Sequence, residues 1–304
     1  MKRISIGSWA YTIGPYAAHP VDWDTVTTRL KEYGFDGVEL GSFPPHPNPK
    51  DQKTAAARKA VADGLRAKGL AFSGLAANLW DQKLANTNDH EPYVQAFARN
   101  CEFAADLGIR TIRVDTVQPP EIYEETGQGA VMERVTSAWK RCANIAAEHG
   151  LLVSWEFEPG FVLNKPSEIM QVLERVDAPN FGVLYDTCHG QMVSVVGARQ
   201  FGDKETLPGG QVELIKMLSG RINHVHLIDS DDTCHKDARG SDETSAHVPF
   251  GDGVINFDQV IPMLNEHARL PDDWWTIDLC FWPDAWPVTQ RCKEAVDRLN
   301  RKFG

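Results

Sequence analysis

The stretch LLVSWEFEPGFVLNKPSEIMQVLERVDAPNFGVLYD, residues 151–186, holds one complete strand–helix–strand unit. A β-rich run over 151–157 leads into a Pro- and Gly-containing turn. Apolar residues then recur at helical spacing over 167–176, and a second β-rich run follows over 181–186. Strand, helix, strand in that order is the unit of a parallel sheet. The pattern continues in both directions. Strands are expected over 3–7, 37–40, 71–75, 111–115, 222–228 and 274–279. Helices are expected over 22–32, 54–68, 91–107, 130–149, 257–267 and 289–302, with helical segments up to 218. Gly34, Gly69, Gly108 and Gly150 each fall between a helical run and the next strand, where a left-handed residue ends a helix.

Eight strand–helix units in 304 residues give an α/β fold, a (β/α)8 TIM barrel, as a single domain over 1–304. An open doubly wound sheet is the competing arrangement. Against it, no Gly-x-Gly-x-x-Gly follows the first strand and no Walker A motif occurs. No Pro/Ser-rich linker divides the chain, which is 42% hydrophobic, enough for a large core.

The formal net charge of -11 provides no basic footprint for nucleic acid or an anionic membrane. No run approaches the roughly 18 apolar residues of a membrane-spanning helix. The opening Met-Lys-Arg-Ile-Ser-Ile-Gly is too short and too polar for a signal peptide. Cysteines at 101, 142, 188, 234, 280 and 292 include no Cys-x-x-Cys pair. They read as reduced thiols, so a cytoplasmic location is expected.

Chemistry on such a barrel sits where the strands end. Strand five ends Trp155-Glu156-Phe157-Glu158 and strand six ends Tyr185-Asp186-Thr187-Cys188-His189. Strand seven carries His224-Val225-His226, and strand eight ends Ile277-Asp278. Alternation puts Val225, Leu227, Ile277 and Leu279 outside, and His224, His226 and Asp278 inside. Several carboxylates buried together repel one another or take up protons. One divalent cation removes that conflict. Three carboxylates and an imidazole suit Mn2+ first, with Mg2+, Co2+ and Zn2+ also able to bind. Taken singly, each of these residues also has a bland reading, as a helix cap, an ion pair or a satisfied core histidine.

The chain resembles the sugar phosphate isomerase/epimerase superfamily, the xylose isomerase-like barrels whose members include D-tagatose 3-epimerase, inosose dehydratase and endonuclease IV. The likeness covers almost the whole chain. It rests on YGFDGVEL (33–40), VSWEFEPGFVLNKPSE (153–168), GVLYDTCH (182–189), HVHLID (224–229), HVPFGDGVINF (247–257) and WTIDL (275–279). It implies metal ligation by Glu156, Asp186, His226 and Asp278. It favours Glu156 over Glu158 through the spacing to Asn164 and Pro166, and takes His226 as the second histidine of His-x-His. Asp278 stands where the family usually has glutamate, one methylene longer. His189 matches a position that contacts substrate oxygens. Glu39 is similar to a family glutamate beside the metal, and His224 fits a supporting role behind the ligands.

Glu158, His189, His247, Trp9 and Arg113 are the expected substrate contacts. Arg113 could instead simply pair with Asp115. Residues 229–253 are expected to form a long polar loop carrying His247 over the site. Trp9, Tyr11, Trp80, Phe161, Trp282 and Trp286 follow strand ends, where sugars stack on rings. The expected activity is isomerisation or epimerisation of a sugar or keto-sugar. A carboxylate, Glu156 or Glu158, takes the proton next to a carbonyl, a metal-stabilised enediolate forms, and Asp278 or His189 returns the proton. The alternative is a lyase that uses the same enolate for β-elimination. It would be an inosose dehydratase-like enzyme, or a subunit of a deglycosidase acting on the C- or O-linkage of 3-keto-glycosides. A DNA-cleaving activity would need more histidines and a basic face. A small-molecule sugar or sugar conjugate, without phosphate, is the expected ligand. A homo-oligomer or a small partner subunit are both compatible with the sequence.

Overall fold

The structure, a computed structural model, describes residues 1–237 and 239–304. Its barrel strands are β1 (Arg3–Ile6), β2 (Gly37–Gly41), β3 (Ala71–Ala76), β4 (Thr111–Val114), β5 (Leu152–Glu156), β6 (Phe181–Asp186) and β7 (Ile222–Leu227). A hairpin of β8 (Asp229–Lys236) and β9 (Asp242–Val248) precedes the last barrel strand, β10 (Trp274–Ile277). The helices are α1 (Trp23–Glu32), α2 (Ala55–Ala67), α3 (Glu91–Leu107), α4 (Ile122–Thr126), α5 (Gln128–Glu148) and α6 (Pro166–Val176). They continue as α7 (Thr187–Gln191), α8 (Gly210–Met217), α9 (Phe257–His267) and α10 (Ala285–Phe303). No helix among the described residues is long and apolar enough to cross a membrane.

The eight barrel strands run parallel in the order β1-β10-β7-β6-β5-β4-β3-β2. The ends of that series meet through a bridge between Gly7 and Glu39, so the sheet is a nearly closed (β/α)8 barrel. The seam has further stitches. The Asp36 amide donates to the Ile4 carbonyl at 2.9 Å. The Ile4 amide donates to Asp36 Oδ2 at 2.8 Å. The Gly41 amide donates to Ser8 Oγ at 2.8 Å.

Period-two alternation sorts the side chains. On β5, Val153 and Trp155 are buried on the helix side, where the Trp155 ring lies 5.3 Å from Trp139 of α5. Trp139 also meets Phe181 of β6 at 5.7 Å. Ser154 and Glu156 alternate with these apolar residues and point to the barrel axis. Gly34, Gly69, Gly108 and Gly150 all have positive φ, between 67° and 75°, as their places after the helices require.

Two expectations change. The helix expected from 289 begins at Ala285, because Pro287 lies in its first turn, where no intrahelical amide bond is lost. The loop expected over 229–253 is largely an antiparallel hairpin, β8 against β9. Its strands are almost wholly polar, so they carry none of the alternation that marks a half-buried strand.

Trp139→Ala would leave a large void between α5, β5 and β6 and is expected to cost about 3–5 kcal/mol. Asp36→Ala would remove the acceptor for the Ile4 amide at the seam, at about 1 kcal/mol. Urea midpoints of the two variants against the parent check both values, and the ordering must hold.

Candidate metal centre

Glu156, Asp186, His226 and Asp278 meet on the barrel axis, all buried, with one ligand atom from each lying within 4.8 Å of the others. Strand alternation delivers them: the neighbours Trp155, Tyr185, Val225 and Ile277 face the helices and are fully packed. His226 Nδ1 lies 3.1 Å from Asp278 Oδ2 and 3.1 Å from Glu156 Oε1. Its Nε2 lies 3.0 Å from Glu39 Oε2. With Nε2–H donating to Glu39, the Nδ1 lone pair faces two carboxylates.

That arrangement conflicts with itself unless positive charge enters. Neither oxygen of Glu156 accepts a hydrogen bond, and Asp186 Oδ2 has no partner either. Arg113 Nε is 2.6 Å from Glu156 Oε2, but its N–H is not aligned with that oxygen. The titration shifts reflect the same crowding. Burial alone would depress the His226 imidazole, yet Glu39 and Glu156 hold it well above its ordinary range. Burial, with Asp278 and Glu156 nearby, pushes the Asp186 carboxyl up. Buried carboxylate oxygens without donors, gathered around one imidazole nitrogen, fit a hard or borderline divalent cation.

Asp186 combines its bland and its functional reading. Its Oδ1 caps α7 by accepting the His189 amide at 2.8 Å, which leaves Oδ2 for the cluster. Asp278 is held at both oxygens. Oδ1 accepts from Trp9 Nε1 at 2.7 Å and Cys280 Sγ at 3.2 Å, and Oδ2 faces His226. Glu39 stands behind the cluster with its pKa well below the usual carboxylate range. Burial opposes that shift, and His224 and His226 outweigh it. Its Oε2 lies 2.5 Å from His224 Nε2. A polar ladder runs on from His224 to Thr276 at 3.3 Å and to Ser5 at 2.8 Å. Gly74 leaves room for the Glu39 head group, since a Cβ there would sit 3.2 Å from its Cδ.

The other expected residues border a cavity of about 670 Å³, counting its open mouth, directly above the cluster. Arg113 Nη2 pairs with Glu158 Oε1 at 2.9 Å and more loosely with Asp115 at 3.4 Å. Glu158 Oε2 accepts from Thr244 at 3.2 Å and lies 3.6 Å from His189 Nε2. Burial raises the Glu158 carboxyl well above its ordinary value despite Arg113. His189 Nδ1 meets Ser245 Oγ at 3.0 Å. His247 Nδ1 reaches the Asp278 carbonyl at 3.1 Å, and its buried Nε2 has no partner. The hairpin thus brings Thr244, Ser245 and His247 over the site. The first two were not singled out in the sequence, because nothing in a polar strand distinguishes its inward residues.

Of the aromatics past strand ends, Trp9, Trp80 and Phe161 line the cavity. Tyr11 and Trp286 stack on each other at 4.2 Å and are not among its lining residues. Trp282 donates to the His247 carbonyl at 2.9 Å. Trp9 is more than a stacking surface, since its indole fixes Asp278.

A divalent cation, assayed with Mn2+, is expected to bind stoichiometrically and to raise the melting temperature. Asp186→Asn keeps a good helix cap while removing a charge, so it should stay folded and lose the metal. Glu39→Gln, acting through the orientation of His226, should weaken binding by about 10–100-fold. Protons compete for Asp186, so affinity should fall as the pH drops through the acidic range. Elemental analysis and thermal melts over a pH series measure all four effects.

A sequence profile of the family described as xylose isomerase-like TIM barrel matches residues 28–300. Inosose dehydratase 2 of Bacillus cereus is 25% identical over 252 residues, 76% of this chain and 74% of that protein. The inosose dehydratase of Erwinia tasmaniensis is 23% identical over 277 residues, covering 85% and 83%. Among solved structures, a D-tagatose 3-epimerase-like protein superposes with a TM-score of 0.71 at 17% identity, over 100% of both chains. The IOLI protein, solved with a binding zinc atom, gives 0.73 at 15% identity over 100% of this chain and 99% of that one. These two superpositions bear on the fold. The profile match spans most of the sequence, and the chain belongs to the xylose isomerase-like TIM barrels.

Proposed function

We propose that this enzyme removes the proton next to the carbonyl of a keto-sugar, with Glu158 as the base. A divalent cation held by Glu156, Asp186, His226 and Asp278, Mn2+ in our assignment, would supply positive charge to the oxygens on which negative charge develops. The observation that supports this reading is the set of partnerless buried oxygens on Glu156 and Asp186 beneath a cavity walled by Glu158. Arg113 anchors Glu158 Oε1, so Oε2, which accepts only the Thr244 hydroxyl at 3.2 Å, is the atom placed to receive the proton. Burial keeps that carboxyl more basic than usual, which suits a weak carbon acid.

Epimerisation, isomerisation and elimination share this first step. Two-faced epimerisation needs a second proton carrier across the substrate from Glu158. Asp278 is poorly suited to that task, since Trp9, Cys280 and His226 engage both of its oxygens. Elimination needs only an acid beside the base, and His189 stands 3.6 Å from Glu158. Burial keeps its imidazole well below its ordinary pKa, so it would relay a proton rather than store one. The inosose dehydratase relatives support the same outcome. We therefore favour a dehydratase-type lyase and retain isomerisation through the same base as the second reading.

The Mn2+-loaded enzyme should exchange the substrate α-proton in D2O and release an unsaturated product. Deuterium in a saturated product with no elimination would establish isomerisation instead. Glu158→Gln should lower the rate by about 10²–10⁴-fold. In the parent, kcat/KM should rise with pH as the Glu158 carboxyl loses its proton, above the pH of an ordinary carboxylate. A Glu158→Gln variant that keeps both the rate and the pH profile would remove Glu158 from this role.

A further inference from the structure

The cavity above the cluster is divided by barrel sector. Apart from Asp278, which follows β10, its acid–base groups come from β4 to β6 and the hairpin, Arg113, Glu158, His189 and His247 among them. Its other wall comes from the segments after β10, β1, β2 and β3, which contribute Phe281, Ile13, Phe43 and Trp80. Asp278 and Cys280 aside, that second wall is apolar, and two of its rings are partly exposed to water. Trp80 is 44% exposed and Phe281 42% exposed. Large rings at the mouth of a cavity mark a binding surface.

Phe281 adds a separate observation. Its φ is 60°, a left-handed backbone that bulky side chains rarely adopt. The fold thus holds a large apolar ring half in solvent on a strained backbone. The ring is braced edge-on by His235 of β8, with centroids 4.9 Å apart. Phe43 and Trp80 brace each other in the same way at 5.2 Å. Rings fixed before binding give up little freedom when a ligand arrives.

We propose that this wall is a subsite for a flat apolar group carried by the substrate, which makes the substrate a sugar conjugate with an aromatic substituent. The inference rests on the keto-sugar reading above and adds the class of substituent. A lone hexose over the cluster would leave Trp80 and Phe281 in water. A second sugar ring would bring hydroxyls to walls with few hydrogen-bonding partners. An aryl group matches both the shape and the chemistry, and would cover the exposed rings by stacking.

The test uses the Mn2+-loaded full chain and matched methyl, phenyl and glucosyl conjugates of a panel of keto-sugars, with affinities from calorimetry. For any sugar that binds, the phenyl conjugate should bind at least tenfold more tightly than the methyl one. Trp80→Ala and Phe43→Ala should bring that ratio toward one, as should Phe281→Ala where melts show it folded. Equal binding of the methyl and phenyl conjugates overturns the subsite and leaves the keto-sugar reading in place. Tighter binding of the glucosyl conjugate than the phenyl one also overturns it. If Trp80→Ala changes the oligomeric state in sedimentation and leaves the ratio untouched, the wall is a subunit interface and the inference fails. If no conjugate of any sugar binds, both readings fall.

Discussion

Negative charge buried on the barrel axis has to be neutralised, and that requirement organises the centre of this molecule. Glu39, Glu156, Asp186 and Asp278 are all withdrawn from water, and His226 touches three of them. Carboxylates in such surroundings are costly unless paired. The chain answers with layers. At the floor, His224, Thr276 and Ser5 engage one another beneath Glu39. In the middle, His226 is aimed by Glu39 from below and presents one nitrogen upward. At the rim, Arg113 spans Glu156, Glu158 and Asp115. Among the described residues, both oxygens of Glu156 and Oδ2 of Asp186 are buried without a donor, and a cation bound there would take them up.

The same strands build the hydrophobic shell and the polar axis, and period-two geometry keeps the two separate. Val225 packs outward while its neighbours on either side turn in, and Trp155 does the same next to Glu156. A shift of one residue in any of these strands would bury a ligand among helices and place an aliphatic group on the axis. Register is therefore fixed twice, by the apolar core and by the charge cluster. That double requirement gives the four candidate ligands rigid supports, as a metal centre needs.

Much of this was legible in the sequence. Strand ends rich in Glu, Asp and His, with β-branched or aromatic neighbours, identified both the rim and the inward residues. The four helix-ending glycines marked the junctions, and their positive φ values follow from that role. The bonds of Asp278 to Trp9 and Cys280 were not legible: the first joins the segments after β1 and β10 across nearly the whole length of the chain, and the second depends on how the chain turns past β10. Neither was the attachment of Glu39 to both histidines, which depends on the barrel closing. The hairpin was the largest omission. Polar strands stabilised by contacts with Glu158, His189 and Asp278 have no local signature, since their reason for being strands lies elsewhere in the chain.

Glu39 serves two purposes that are usually assigned to different residues. Its backbone forms the bridge to Gly7 that joins the ends of the sheet, and its side chain steers His226. Ring closure and ligand orientation therefore share one hinge pin. Opening at the β1–β2 edge would loosen the imidazole's support, and an ion bound on the axis would in turn hold that edge closed. By reciprocity, occupancy of the centre and integrity of the seam would reinforce each other, so filling the centre would tighten the join that closes the cylinder.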